Sequence, residues 1–418
     1  MHYFEYNEDK LYCEETSLEK LAEEYGTPLY VYSKKTILMH LQKLKDAFAQ
    51  INPLFCYSVK ANSNLSVLKT MVDAGAGLDI VSGGELFRAK KVKCPMKKVV
   101  YASVGKTDEE IIDGIKSGIL FFNVESVPEL ERINKLAGDL GRKPSVAIRV
   151  NPDVDAMTHE YITTARKKAK FGVDLATAAD ILINGSERYK NLKLDGVHIH
   201  IGSQIVSGNP FVTALEKMNR FVADVRAGGA VINYFDVGGG LGIIYDKEEP
   251  QTPEQFSAEV LPLLKQLNAE IIFEPGRFIV GNAGVFLTEV TYVKESYEKE
   301  FVIVDGAMND LIRPSLYGAY HNILPTLRKN NDRKTEPGRT VDVVGPVCES
   351  GDFLGKDRDL CVERGDLLAV MSAGAYGFTM SSNYNSRRRC AEVMVNGKDV
   401  KLIRKRETYR DVIRNEVI

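Results

Sequence analysis

The chain has 418 residues, 44% hydrophobic and 27% charged, a balance that allows a large core and two domains. Lys+Arg 55 against Asp+Glu 57 leaves a formal charge of -2, so no nucleic-acid partner is expected. No apolar run approaches a membrane span, Met1 to Ser17 is too polar for a signal peptide, and the six scattered cysteines lack C-x-x-C spacing. The expectation is a reduced, cytoplasmic protein without structural zinc or a membrane partner.

In chain order, Glu19 to Glu24 reads as a helical turn ending at Gly26-Thr27-Pro28, before a small strand, Leu29 to Tyr32. Ser33 then caps a helix with Ile37, Leu38, Leu41, Leu44 and Phe48 on one face. From there strand-like runs alternate with helical patterns: Leu54–Val59, Gly77–Val81, Lys98–Ala102, Leu120–Val124, Ser145–Val150, Gly196–Ile201, Tyr234–Val237 and Glu270–Phe273. Eight near-continuous apolar strands predict a parallel (β/α)8 TIM barrel. A doubly wound open sheet competes, and the count of eight favours the barrel.

Past Phe278, β-branched runs are separated by Gly, Pro, Asn and Asp, which predicts an antiparallel β-sandwich or β-barrel. The strand Leu29–Tyr32 is expected to join it. The fold class is therefore α/β plus all-β, with the barrel at 33–278 and the β-domain at 1–32 and 279–418. Lys329 to Gly338 reads as an exposed loop, and the basic run Arg387-Arg388-Arg389 as a strand rim.

Chemistry in such a barrel gathers at the C-terminal strand ends. Lys60 ends the first strand and is followed by a helix start, Asn62-Ser63-Asn64. A partly desolvated lysine there becomes a nucleophilic amine, whereas a lone lysine is more often one that snorkels to water. The other ends read Val81 to Glu85, Ser103, Arg149 to Pro152, His198 to Gln204, Asp236 to Gly242 and Glu274 to Arg277. Gly238-Gly239-Gly240 can present bare amides to an anion, and Gly276-Arg277 on the neighbouring strand strengthens a phosphate reading. His198 and His200 share a strand face; they are a metal pair, for which no carboxylate at matched depth is visible, or flat partners for a ring. Lysine, phosphate cradle, ring-facing histidine and the carboxylate Glu274 together describe pyridoxal 5′-phosphate.

The stretches Tyr57 to Asn62, Gly196 to Gln204, Gly238 to Gly242 and Glu274 to Arg277 resemble the alanine-racemase-like, fold type III family of pyridoxal-phosphate enzymes. Asp310 to Tyr317, Gly345 to Asp352, Gly374 to Gly377 and Asn383 to Arg387 resemble the branch that decarboxylates meso-diaminopimelate. The likeness runs through both domains in order. Ala165 stands where the family usually shows Gly, and Asp305-Gly306-Ala307-Met308 swaps a common Ala-Gly order.

The resemblance implies a Schiff base on Lys60, Glu274 at the pyridine nitrogen and His200 on the ring. Ser203, Gly239, Gly240, Gly276, Arg277 and Tyr376 would hold the phosphate. Arg277, Arg313, Tyr317, Glu349 and Tyr376 would bind the substrate, with Cys348 as proton donor. A homodimer with shared active sites is implied as well. Ornithine or arginine decarboxylases need no carboxylate clamp such as Arg313 and Tyr317. Carboxynorspermidine decarboxylase is the nearer rival, alanine racemase needs a catalytic tyrosine opposite the lysine, and a non-catalytic cofactor carrier has no use for Cys348.

Overall fold

Runs such as Leu54-Phe55-Cys56-Tyr57-Ser58 are too short for helices, too apolar for loops and rich in residues that suit a pleated surface. The computed structural model describes residues 2–154, 170–297, 299–328 and 340–418; Ala165 and the Lys329–Gly338 loop lie outside them. Eight strands close into a barrel: β1 Leu54–Ser58, β2 Gly77–Ile80, β3 Val99–Ala102, β4 Phe121–Val124, β5 Ser145–Arg149, β6 Lys193–His198, β7 Tyr234–Asp236 and β8 Glu270–Phe273. Each pairs in parallel with the next, and β8 returns to β1. β6 starts earlier than Gly196 because polar Lys193 and Asp195 mask its first half.

The helices start where small polar residues supply acceptors. Asn64, Ser82, Thr107, Ser126, Asp174 and Thr252 each accept a backbone N–H in the first turn, and Thr107 and Thr252 form reciprocal capping boxes. Such a cap contributes about 1 kcal/mol. In the helix Lys34–Ala47 the buried stripe is Ile37, Leu41 and Leu44, continued by Phe48, while Leu38 is 36% exposed. Leu38 sits one position beyond the stripe expected of it.

Inside the barrel the layers follow from the period of two. Cys56, Phe121, Ala147 and Ile272 form an apolar cluster with Tyr234 against it. Two residues further along the same strands come Ser58, Asn123, Arg149, Asp236 and Glu274, all buried and all polar. The floor of the barrel is apolar and its upper layer is polar, with Arg149, Asp236 and Glu274 ionisable.

Cα proximity divides the chain into two units: His40–Ile243 with Glu249–Phe278, and Met1–Met39 with Ile244–Glu248 and Ile279–Ile418. The second unit holds a nine-stranded sheet. Its path runs Phe353–Arg358, Val341–Val344, Lys299–Val304, Gly284–Ser296, Leu29–Ser33, Ala391–Asn396 and Asp399–Arg404, with Leu367–Val370 and Ile323–Pro325 branching off. The sheet is mostly antiparallel. Two pairings are parallel, Leu29–Ser33 with Ala391–Val395 and Glu300–Ile303 with Val341–Val344, because in each case a long connection separates the strands. Leu29–Ser33 is buried throughout, with Tyr30 and Tyr32 in one apolar cluster and Leu29 and Val31 in another. Phe4–Asn7, Lys10–Cys13 and Thr16–Ser17 add a three-stranded sheet that the sequence does not announce. Among the described residues, no helix is long and apolar enough to cross a membrane.

Candidate active site

The end of β1 becomes a single 3-10 turn, Val59–Ala61, that sets Lys60 on the barrel rim. Its Nζ lies 3.0 Å from Asp79 Oδ2, an oxygen that also accepts from Ser58 Oγ at 2.5 Å. The Asp79 side chain is fully buried and that of Lys60 is 36% exposed. Lys60 is thus ion-paired with a buried carboxylate at a partly desolvated position. Burial and the nearby Glu274 push the Asp79 carboxyl up, while Lys60 and Ser58 pull it back. Glu85, whose carboxylate accepts from the Val81 amide, is raised to about 7, mainly by burial.

Across the barrel, Glu274 follows β8 and its N–H donates to the Gly238 carbonyl at 2.9 Å. Asn123 Nδ2 donates to Glu274 Oε1 at 3.1 Å and to Asp236 Oδ2 at 3.3 Å, and His198 Nε2 stands 3.5 Å from Glu274 Oε2. One ligand atom each from His198, Asp236 and Glu274 lies within 4.8 Å of the others. The expectation that no carboxylate shares the depth of the histidines is therefore corrected: both carboxylates come from neighbouring strands, β7 and β8, and only barrel closure brings them there. Their oxygens are already engaged by Asn123 and the Gly238 amide.

His200 is half-buried, and its Nδ1 accepts the Gly239 N–H at 3.1 Å. Burial, then Arg149 and Lys60, holds its imidazole well below the usual range, so the ring is neutral and Nε2 carries the proton. The glycines beside it leave no room for a side chain. A Cβ on Gly239 would come 2.3 Å from the Glu274 carbonyl, and one on Gly240, at φ +121, 2.7 Å from the Gly202 carbonyl. Gly276 packs against Ser58 and Ala61. Arg277 is buried and its Nη2 donates to Ser203 Oγ at 3.0 Å. Lys60, His200, Ser203, Gly239, Gly240, Glu274, Gly276 and Arg277 all belong to the barrel unit.

The other candidates belong to the β unit. Arg313 opens the helix Arg313–Tyr317 and is buried, its Nη1 2.8 Å from His321 Nε2 and its guanidinium 4.5 Å from the Tyr245 ring centre. His321 is itself seated on the Met371 carbonyl at 2.8 Å. Tyr317 is half-buried at the last turn of that helix. Cys348 and Glu349 are exposed on a turn that Asp352 ties down through the Met308 and Val347 amides, at 2.7 and 2.8 Å. Asn385 Oδ1 accepts the Cys348 N–H at 2.8 Å. Tyr376 takes a left-handed φ of +56 between Gly374 and Gly377, a conformation an aromatic residue adopts only under constraint. At the swapped Ala-Gly order, a Cβ on Gly306 would meet the Phe286 ring at 2.5 Å, so the glycine is required there.

Sequence reasoning missed Asp79, Asn123, Tyr245 and His321. The first two are hidden in apolar strands. The signal for them was parity: each sits on the strand face that Ser58 and Glu274 also occupy.

Residues 34–281 match the pyridoxal-dependent decarboxylase, pyridoxal binding domain. The chain is 49% identical to a diaminopimelate decarboxylase from Aquifex aeolicus over 98% of its own length and 96% of the relative's. It belongs to the diaminopimelate decarboxylase family. A relative from Vibrio cholerae is 47% identical, with 97% of each chain covered. Two solved structures agree with this membership. The diaminopimelate decarboxylase from Helicobacter pylori complexed with L-lysine superposes with a TM-score of 0.90 at 40% identity, covering 95% of this chain and 98% of that one. The enzyme from M. jannaschii in co-complex with L-lysine gives 0.93 at 38%, covering 99% and 98%. Both units of this family member fall within those matches.

Proposed function

We propose that the protein decarboxylates meso-2,6-diaminopimelate to L-lysine and carbon dioxide with pyridoxal 5′-phosphate as cofactor. The observation that carries this reading is the identity of 49% with a diaminopimelate decarboxylase over nearly the full length of both chains. The barrel residues fit the cofactor. They offer an amine at the rim, a buried carboxylate held anionic, a neutral imidazole, and glycines whose missing side chains leave amides open beside a hydroxyl and a guanidinium. Bound there, pyridoxal phosphate supplies an aldehyde for the amine and a ring that accepts the electron pair left behind by carbon dioxide.

In this reading Lys60 holds the cofactor, and Asp79 receives the ammonium whenever the substrate's amine takes its place. Glu274 meets the ring nitrogen and His200 lies against the ring. Ser203, Gly239, Gly240, Gly276, Arg277 and Tyr376 bind the phosphate. Arg277, Arg313 and Tyr317 take the distal carboxylate and Glu349 the distal ammonium; a guanidinium orients a carboxylate as well as attracting it. His321 and Tyr245 fix the Arg313 guanidinium for that task. Cys348 Sγ delivers the proton to the carbon that lost carbon dioxide.

Residues 33–278 would thus carry the cofactor, and 1–32 with 279–418 the substrate and proton-donor residues. The exposure of Cys348 and Glu349 in the single chain supports a homodimer in which they serve the partner's site. The free cysteines suit a reducing, cytoplasmic setting.

The deciding experiment measures carbon dioxide release from meso-diaminopimelate, carboxynorspermidine, ornithine and lysine by cofactor-loaded protein. Release from the first is expected; its absence defeats the proposal. Mixing Lys60→Ala with Cys348→Ala protein tests the shared site. Activity is expected to reappear in the hybrids, toward about a quarter of wild type if subunits exchange at random and one intact site remains per hybrid dimer. Hybrids that stay inactive would contradict shared sites.

A further inference from the structure

Asp236 has no part in the scheme above, yet it sits beside Glu274 in the buried polar layer of the barrel, an oxygen of each within 4.8 Å of the other, at 0% and 4% exposure. Their oxygens share one donor, Asn123 Nδ2. Two carboxylates this close in a medium of low polarity cannot both stay ionised, so the pair holds a proton. The surroundings of the two are unequal. Glu274 faces His198 at 3.5 Å and lies in the field of Lys60. Asp236 has the Gly238 N–H at 2.9 Å on Oδ1 and the longer Asn123 contact on Oδ2, and forms no ion pair among the described residues. Asp79, the remaining acid of this layer, is matched by Lys60.

We propose that Asp236 carries the proton of the pair and, as a neutral hydrogen-bond donor, is the positioning residue that fixes Glu274 as the anion. The consequence for the cofactor rests on the reading above, in which Glu274 meets the pyridine nitrogen. Asp236 then acts through Glu274: its proton prevents the pair from carrying two charges, and its donor aims the Glu274 carboxylate. The electrostatics agree. Burial and then Glu274 push the Asp236 carboxyl well above its ordinary value. Glu274 goes the other way: burial pushes it up, but His198 and Lys60 outweigh that and hold it below the usual carboxylate range.

The location of the proton can be read directly. Full-length, cofactor-loaded protein is made with ordinary, carbon-13 aspartate or carbon-13 glutamate carboxyls, and infrared difference spectra are taken against Asp236→Asn. The expected result is a protonated-carboxyl band that the substitution removes and that the aspartate label shifts. A band shifted by the glutamate label instead, or no such band at all, overturns the proposal. Cofactor retention gives an independent readout. Asp236→Ala removes the donor and is expected to release pyridoxal phosphate about tenfold faster, a loss of the size of one buried hydrogen bond. Asp236→Asn restores a neutral donor in the same place and should bring release back to within about threefold of wild type. If Asp236→Asn releases the cofactor as fast as Asp236→Ala, a charged Asp236 was needed and the proposal fails. Glu274→Gln separates the two levels: an unaltered cofactor absorbance spectrum in that variant would remove Glu274 from the ring nitrogen, while the labelled band still reports which carboxyl holds the proton.

Discussion

Asp310 is 1% exposed; its Oδ2 accepts the Ala307 amide and its Oδ1 has no hydrogen-bond partner among the described residues. Burial pushes its carboxyl up from 3.8 to about 7. Between those values the folded protein keeps a proton that the unfolded chain releases, so stability falls as pH rises through this window. The loss for this one group is on the order of 4 kcal/mol. Asp310→Asn should therefore narrow the difference in thermal midpoint between pH 5 and pH 8. An unchanged difference would rule out Asp310 as its source. Residues of this kind mark the limit of what the sequence makes legible. Lys60 and Glu274 stand out because each ends an apolar run just before a turn. Asp79 and Asn123 do not, because each lies within an apolar strand, and their parity with Ser58 and Glu274 becomes a signal only once it is known which strand face turns inward. The inward face becomes known only when the barrel closes and its register is fixed.

At the scale of elements, the turn after β7 is held in place by what its glycines lack. A Cβ on Gly239 would strike the carbonyl of Glu274, the residue whose N–H pins the end of β8 to the Gly238 carbonyl. Gly239→Ala is expected to cost about 1–3 kcal/mol in chemical denaturation and to weaken pyridoxal phosphate binding. Gly105, with nothing within 4 Å of the same added atom, is the control and should change stability by less than about 0.5 kcal/mol. If Gly239→Ala behaves like Gly105→Ala, the turn has slack that its geometry does not show. The barrel strands were readable because each is one apolar run between capped helices. The strands Phe4–Asn7, Lys10–Cys13 and Thr16–Ser17 were not, since each mixes polar or charged residues with apolar ones and so offers neither an apolar run nor enough length for a period. The parallel pairings of the nine-stranded sheet were equally hidden, because local pattern says nothing about a partner that lies tens or hundreds of residues away.

At the scale of the whole molecule, the barrel unit is inserted into the β unit, and the chain passes between them at Met39, Ile243, Glu248 and Phe278. Composition marks the outer limits of the insertion, where helix–strand alternation begins and ends. It gives no sign that Ile244–Glu248 groups with the β unit, because those residues lie in a loop without a pattern of its own. The insertion also sets a timetable. Leu29–Ser33, buried at every position, pairs with Gly284–Leu287 on one side and Ala391–Val395 on the other. At about 5–20 residues per second, a ribosome needs roughly 20–70 s to reach the second of these partners, so an apolar, strand-forming segment must wait unpaired while the barrel is made. In chains halted before Gly284, protease should cut at Leu29–Ser33 while the first barrel strands are already shielded, and protection equal to that of the finished chain would refute this order. The strand made first in the nine-stranded sheet waits longest for its second neighbour, so the newborn protein is most exposed to misassembly at its beginning.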